Sequence, residues 1–131
     1  LGNLLADAKI KPMVNQILTH ISNTPLELID FCKANGIQCE AYSPIAHGEA
    51  LKNKAIADMA AKYCVSAAQL CVRYTIDLGM VSLPKTANPE HMKSNSDIDF
   101  TISAEDMETL KHFDKIKDYG EYSFFPVFSG K

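Results

Sequence analysis

The segment Lys85-Thr86-Ala87-Asn88-Pro89-Glu90 places a lysine and a hydroxyl just ahead of a helix start. Free backbone N–H groups and the helix dipole add there to the ammonium charge, which makes an anion site. His91 and Asn95 are four residues apart, so they share one face of that helix and can reach one ligand. Spacing alone leaves two readings, phosphate binding or a solvated cap with an exposed lysine. Tyr42-Ser43-Pro44-Ile45 closes an apolar run. The Tyr42 ring is either a rim aromatic or a flat platform for a planar heterocycle. The Gln16 carboxamide can pair with another amide. His20, His47 and His112 lack metal-ligand spacing; His47 is placed at a polar rim and His112 on a helix surface. Nucleotide-binding glycine loops and the serine nucleophile elbow are absent. Cys32, Cys39, Cys64 and Cys71 form no CxxC pair and read as reduced core cysteines of a cytosolic protein.

These residues need elements to position them. Met13–Ile17 reads as a strand. Thr24-Pro25-Leu26-Glu27 reads as a capping box opening a helix that Asn35-Gly36 ends. A second strand covers Ile37–Ser43. Residues 50–62 read as one helix, with Leu51, Ala55, Met59 and Tyr63 on its inner face. Ser66 and Gln69 form a capping box for the next helix, closed by Gly79. Met80–Leu83 is the third strand. Asn88 and Ser103 open the last two helices, with Met107, Leu110 and Phe113 inward. From Tyr119 the chain is aromatic and non-helical, through Tyr122, Phe124, Phe125 and Phe128. Strands alternating with helices imply an α/β fold with parallel strands. In such folds ligands sit at the C-terminal ends of the strands, where Gln16, Tyr42 and Lys85 fall.

The chain has 131 residues, 47% apolar and 22% charged, with a formal net charge of −3. That composition excludes disordered and fibrous classes. The acidic balance argues against nucleic acid, which demands a basic stripe. No run approaches the ~18 apolar residues of a membrane span, and no leader pattern is present. The chain begins at Leu1 rather than Met, so further sequence is expected upstream. Length allows one domain, yet three strands cannot close a barrel, and two sheet edges stay open. A (β/α)8 barrel takes about 250 residues.

The run from Leu83 through Asn95 resembles the aldo-keto reductase family. Lys11-Pro12-Met13-Val14-Asn15-Gln16 resembles that family's sixth-strand segment, and Glu40-Ala41-Tyr42-Ser43-Pro44-Ile45 its seventh. The Lys85 segment resembles the eighth strand and cofactor loop. Phe125-Pro126-Val127-Phe128 resembles the C-terminal arm of small bacterial members. The resemblance implies the C-terminal half of a (β/α)8 TIM barrel: residues 1–131 as a single partial domain, with residues 119–131 as the arm. It implies an NADP(H)-dependent reductase of aldehydes and ketones. Gln16 would hold the nicotinamide carboxamide and Tyr42 would stack on its ring. Ser43, Pro44 and Ile45 would line the pyrophosphate path, with His47 near its edge. Lys85 and Thr86 would bind the 2′-phosphate, and Asn95 would meet the adenine. His91 replaces the family's usual arginine, which leaves NAD open beside NADPH. Leu18 and Ile21 replace the usual acidic and proline residues around His20.

The family's catalytic tyrosine, aspartate, lysine and histidine would all lie upstream of Leu1, as would the serine-asparagine pair that assists Gln16. Tyr63, Tyr74, Tyr119 and Tyr122 do not match the catalytic position. No catalytic residue or metal ligand is therefore assigned within the chain. The expected partners are a small carbonyl substrate and the missing N-terminal half or a symmetry-related copy, with no nucleic acid or membrane. The expected location is cytoplasmic. The alternatives are a non-catalytic half-barrel that assembles with another half, and an inactive proteolytic fragment.

Overall fold

The computed structural model describes residues 1–116 and Tyr119. The elements run α1 (Gly2–Asp7), β1 (Val14–Leu18), α2 (Leu26–Ala34), β2 (Gln38–Tyr42), α3 (Lys54–Lys62), α4 (Ala67–Asp77), β3 (Val81–Leu83), α5 (Pro89–Ser96) and α6 (Ala104–Lys111). A 3-10 segment, Ala46–Lys52, lies between β2 and α3 and is broken at His47 and Gly48. Among the described residues the three strands form one parallel sheet in the order β1-β2-β3. No helix among them is long and apolar enough to cross a membrane.

Alternation along the strands divides the sheet into two faces. Cys39 and Ala41 are buried at 5% and 0% exposure, in one cluster with Ile29, Cys32, Ile37 and Met80. Register aligns Gln16 with Glu40, Leu18 with Tyr42, and Tyr42 with Leu83, all on the other face. Helices leave that face open, and Val14, Val81 and Leu83 remain exposed on it. A larger cluster joins Ile21, Ile56, Ala60, Leu70, Cys71, Tyr74, Met107, Leu110 and Tyr119.

Local chemistry explains the helix starts. Ser66 and Gln69 make the reciprocal capping box, and Ser103 accepts from the Asp106 N–H. Three readings need correction. Thr24 does not cap α2: its hydroxyl donates to the His20 carbonyl and pairs with the Tyr74 hydroxyl at 2.6 Å, while Pro25 holds the cap position. Residues 50–62 are not one helix. Asn53 is extended and accepts from the Ala55 and Ile56 N–H groups, starting α3 afresh. Ile56 and Ala60 then point inward, and Leu51 and Ala55 are exposed. Cys32, Cys39 and Cys71 are buried, but Cys64 is exposed in the turn between α3 and α4. Burial pushes the thiols of Cys39 and Cys71 up to about 11 and about 12. The aromatic residues Tyr122, Phe124, Phe125 and Phe128 lie outside the described residues; Tyr119 is buried.

Polar groups tie these elements together. Arg73 pairs with Asp77 at 2.6 Å, and Arg73 Nη1 donates to the Ile98 carbonyl. Lys62 donates to both oxygens of Asp106, and Tyr63 donates to the same carboxylate. These bonds, Lys62 first, hold the Asp106 carboxyl below the usual range.

His20 is fully buried, with Nδ1 2.6 Å from the Ile21 carbonyl and Nε2 3.0 Å from the Tyr119 hydroxyl. A carbonyl only accepts, so Nδ1 carries the proton and Tyr119 donates to a neutral Nε2. Burial, the main cause, holds this imidazole below its ordinary 6.5, and the nearby His47 adds to the lowering.

Two stability predictions follow from this geometry. The folded chain resists protonating His20, whereas the unfolded chain does not. Stability is therefore full above pH 6.5 and falls as pH drops below that value. Urea unfolding at pH 7.5 and 5.5 checks this: His20→Gln lowers stability but flattens the slope, and Tyr119→Phe costs about 1–2 kcal/mol by stranding Nε2. An unchanged slope in His20→Gln sinks the assignment. Cys64 has φ 55, a left-handed conformation that favours glycine. Cys64→Gly therefore gains about 0.5–1 kcal/mol, relief of a left-handed penalty offset by glycine's unfolded-state entropy. A lower melting temperature refutes it.

Candidate functional site

The carboxyl ends of β2 and β3 lead into two loops that face one another. After β3, Leu83 is followed by Pro84, and Lys85 and Thr86 run into α5. Asn88 caps that helix by accepting from the Glu90 N–H at 2.9 Å. The Asn88 N–H in turn donates to Thr86 Oγ1 at 3.1 Å. This fixes the Thr86 oxygen and leaves its proton to donate outward. One turn on, His91 and Asn95 stand on the helix face that looks back at Lys85. Lys85, Thr86, His91 and Asn95 line one cavity of about 330 Å³, together with Ile45, Leu51 and residues at the start of α4. An ammonium and a hydroxyl thus border one cavity with an apolar wall and the Asn95 amide, groups whose chemistry is able to meet an anion and the polar edge of a flat ring.

After β2 the backbone is unusual. Ser43, Ala46 and His47 adopt φ of 52, 51 and 54, and Gly48 follows at 91. Left-handed backbone costs a non-glycine residue roughly 1–2 kcal/mol, so this loop stores strain beside the strand end. Two internal hydrogen bonds lock it, from the Ala46 N–H to the Ser43 carbonyl at 2.8 Å and from the Gly48 N–H to the Ile45 carbonyl at 2.9 Å. His47 Nε2 lies 3.3 Å from Ser43 Oγ. Ser43, Pro44, Ile45, His47, Gly48, Leu83 and Lys85 surround a second cavity of about 290 Å³. Ile45 and Lys85 border both cavities, so the two are lobes of one groove.

Gln16 and Tyr42 lie apart from this groove, on the open face of the sheet. Both border a shallow hollow with Leu18 and Asn23. Gln16 Nε2 donates to Glu40 Oε2 at 3.1 Å, a bond across the β1–β2 pair that engages the carboxamide. Burial raises the Tyr42 phenol above its ordinary 10.0. The structure thus sets Lys85, Thr86, His91 and Asn95 around one lobe, Ser43, Pro44 and Ile45 along the other, and Gln16 with Tyr42 on the adjoining face. Sequence reasoning missed Leu51, Ser66, Ala68 and Ser94 as cavity walls. Leu51 carried a signal: it sits between Gly48 and Asn53, two helix breakers. A comparable hollow of about 250 Å³ at the opposite strand ends offers less chemistry, because its Gln38 amide is spent on the Cys39 and Gly79 carbonyls.

Comparison with known proteins gives a consistent picture. The model of the Aldo/keto reductase family matches residues 2–115. The chain is 41% identical to glyoxal reductase of Bacillus subtilis over 121 residues, which cover 92% of this chain and 44% of that protein. It is similar to the solved aldo-keto reductase MGS-M4 from a deep-sea metagenome library, with TM-score 0.84, 37% identity, and 90% of this chain against 45% of that one. It also matches an engineered variant of Gox0644 solved in complex with NADPH, with TM-score 0.81 and 28% identity over 88% of this chain and 43% of that one. The chain spans less than half the length of each of these relatives.

Proposed function

The chain belongs to the Aldo/keto reductase family, and from that premise we propose that it forms the cofactor-holding, C-terminal half of an NADP(H)-dependent reductase of aldehydes and ketones. The convergence of Lys85, Thr86, His91 and Asn95 on one cavity carries the reading. A fixed ammonium, an outward hydroxyl and an imidazole suit a ribose 2′-phosphate, and Asn95 suits the adenine edge. Ser43, Pro44 and Ile45 suit the pyrophosphate between the two nucleosides. Tyr42 offers a ring for the nicotinamide to stack on. Gln16 suits the nicotinamide carboxamide once its bond to Glu40 is exchanged for one to the amide. The bound dinucleotide supplies the hydride. This chain's residues hold and orient it; the proton at the carbonyl oxygen comes from the other half of the barrel.

The open sheet face supports the same division of labour. Val14, Val81 and Leu83 are exposed there at 49%, 45% and 36%, and a complementary half-barrel covers them. The identical feature supports the alternative of a non-catalytic half that pairs with a companion or a symmetry-related copy. NAD remains the competing cofactor, because an imidazole lacks the two parallel donors with which a guanidinium fork grips a phosphate. Four free thiols suit a reducing, cytoplasmic setting.

Two outcomes test this. The isolated 131-residue chain reduces no carbonyl substrate; steady NADPH consumption with a small aldehyde refutes the division of labour. In the complete enzyme, Lys85→Met weakens NADPH roughly 10-fold or more, a loss of about 1.4 kcal/mol, and leaves NADH nearly unchanged. His91→Arg tightens NADPH selectively. Fluorescence titration with both cofactors checks these variants, and an equal loss of both in Lys85→Met shows that Lys85 does not face the 2′-phosphate.

A further inference from the structure

Glu40 is the one Asp, Glu, Lys or Arg within the three strands. Alternation and register put it on the open face, with Gln16 beside it on β1, Val81 beside it on β3 and Tyr42 two positions along its own strand. Among the described residues no lysine, arginine or histidine forms an ion pair with it. Its side-chain partner is the Gln16 amide at 3.1 Å. A half-buried carboxylate among exposed Val14, Val81 and Leu83 thus rests on a single donor. We infer that Glu40 is a specificity residue for the redox state of the nicotinamide, favouring the cationic, oxidised ring over the neutral, reduced one. The inference rests on the dinucleotide reading proposed above.

The argument turns on that one donor. Gln16 can take the nicotinamide carboxamide only by giving up its bond to Glu40. The carboxylate is then left on a face with apolar neighbours, and a carboxylate that loses its donor away from water is destabilised. A neutral dihydronicotinamide offers nothing in return. An oxidised ring does, because its positive charge attracts the carboxylate, and the attraction strengthens as water is displaced. In the reaction a hydride, a proton with two electrons, leaves the reduced ring for the carbonyl carbon. The carbonyl oxygen takes a proton, and the ring is left cationic beside Tyr42 and Glu40. A group that binds the oxidised form more tightly than the reduced form draws the bound couple toward oxidation. Glu40 therefore makes the bound reduced dinucleotide a stronger hydride donor without touching the carbonyl.

The test measures three affinities in the complete enzyme. NADPH is titrated by its own fluorescence; NADP+ and 2′-phospho-ADP-ribose are titrated by calorimetry. The last ligand lacks the nicotinamide and serves as the folding control. Glu40→Gln, nearly the same size and uncharged, is expected to weaken NADP+ about 5-fold or more relative to NADPH, with 2′-phospho-ADP-ribose within about 2-fold of the parent. Glu40→Asp keeps the charge and is expected to keep most of the parent's NADP+ to NADPH ratio. A ratio within about 2-fold of the parent in Glu40→Gln overturns the inference, as does an equal loss of all three ligands, which a structural role alone would give. A ratio shifted as far by Glu40→Asp as by Glu40→Gln also overturns it, since the charge is then not what discriminates. A parent that binds none of the three overturns the dinucleotide reading itself.

Discussion

Cys39 and Ala41 impose the constraint on which the fold turns. Both are small and both are buried, which lets the helical layer settle closely on the middle strand. Because strand side chains alternate, burying this pair commits Gln38, Glu40 and Tyr42 to the opposite face. The neighbouring strands inherit that choice through their register, so Gln16 and Leu83 join Tyr42's side. A slip of one residue would drive Glu40 under the helices and turn Tyr42 away from any ligand at the strand ends. The same choice determines where β2 and β3 release their loops, and hence that Ser43 and Lys85 meet across one groove.

Much of this was legible in the residues. The strands are short apolar runs closed by Pro44 and Pro84. The caps at Ser66, Asn88 and Ser103 act through local hydrogen bonds that span only two or three positions. A four-residue spacing was enough to place His91 beside Asn95, since both belong to one helix face. Thr24 misled because a hydroxyl suited to capping found tertiary partners in Tyr74 and the His20 carbonyl. Cys64 misled because its neighbours are helical and apolar, although the turn itself lies at the surface. The left-handed run at Ser43, Ala46 and His47 could not be read at all. Only glycine and asparagine announce such backbone, and these three residues are held there by the surrounding packing.

That packing has its own polar skeleton. Tyr119, His20, Thr24 and Tyr74 form a buried hydrogen-bonded chain. The Thr24 proton is given to the His20 carbonyl, so Tyr74 must donate to Thr24 and Tyr119 to His20. Every member has one orientation, and the chain links the loop after β1 to α4 and to Tyr119, beyond the end of α6. Burial holds the Tyr74 phenol up at about 12, so its hydroxyl keeps its proton for Thr24 at any ordinary pH. It braces the strand-end side of the sheet, next to the strained loop that must be supported from below.

The walls of the two-lobed groove all come from one stretch of chain, from Ser43 to Asn95. None is contributed by β1 or the residues before it. The groove is thus a cassette, its walls drawn from one continuous stretch of the chain. Exchange of the preceding segment between related genes would change the open face of the sheet beside β1 while leaving the walls of the groove intact.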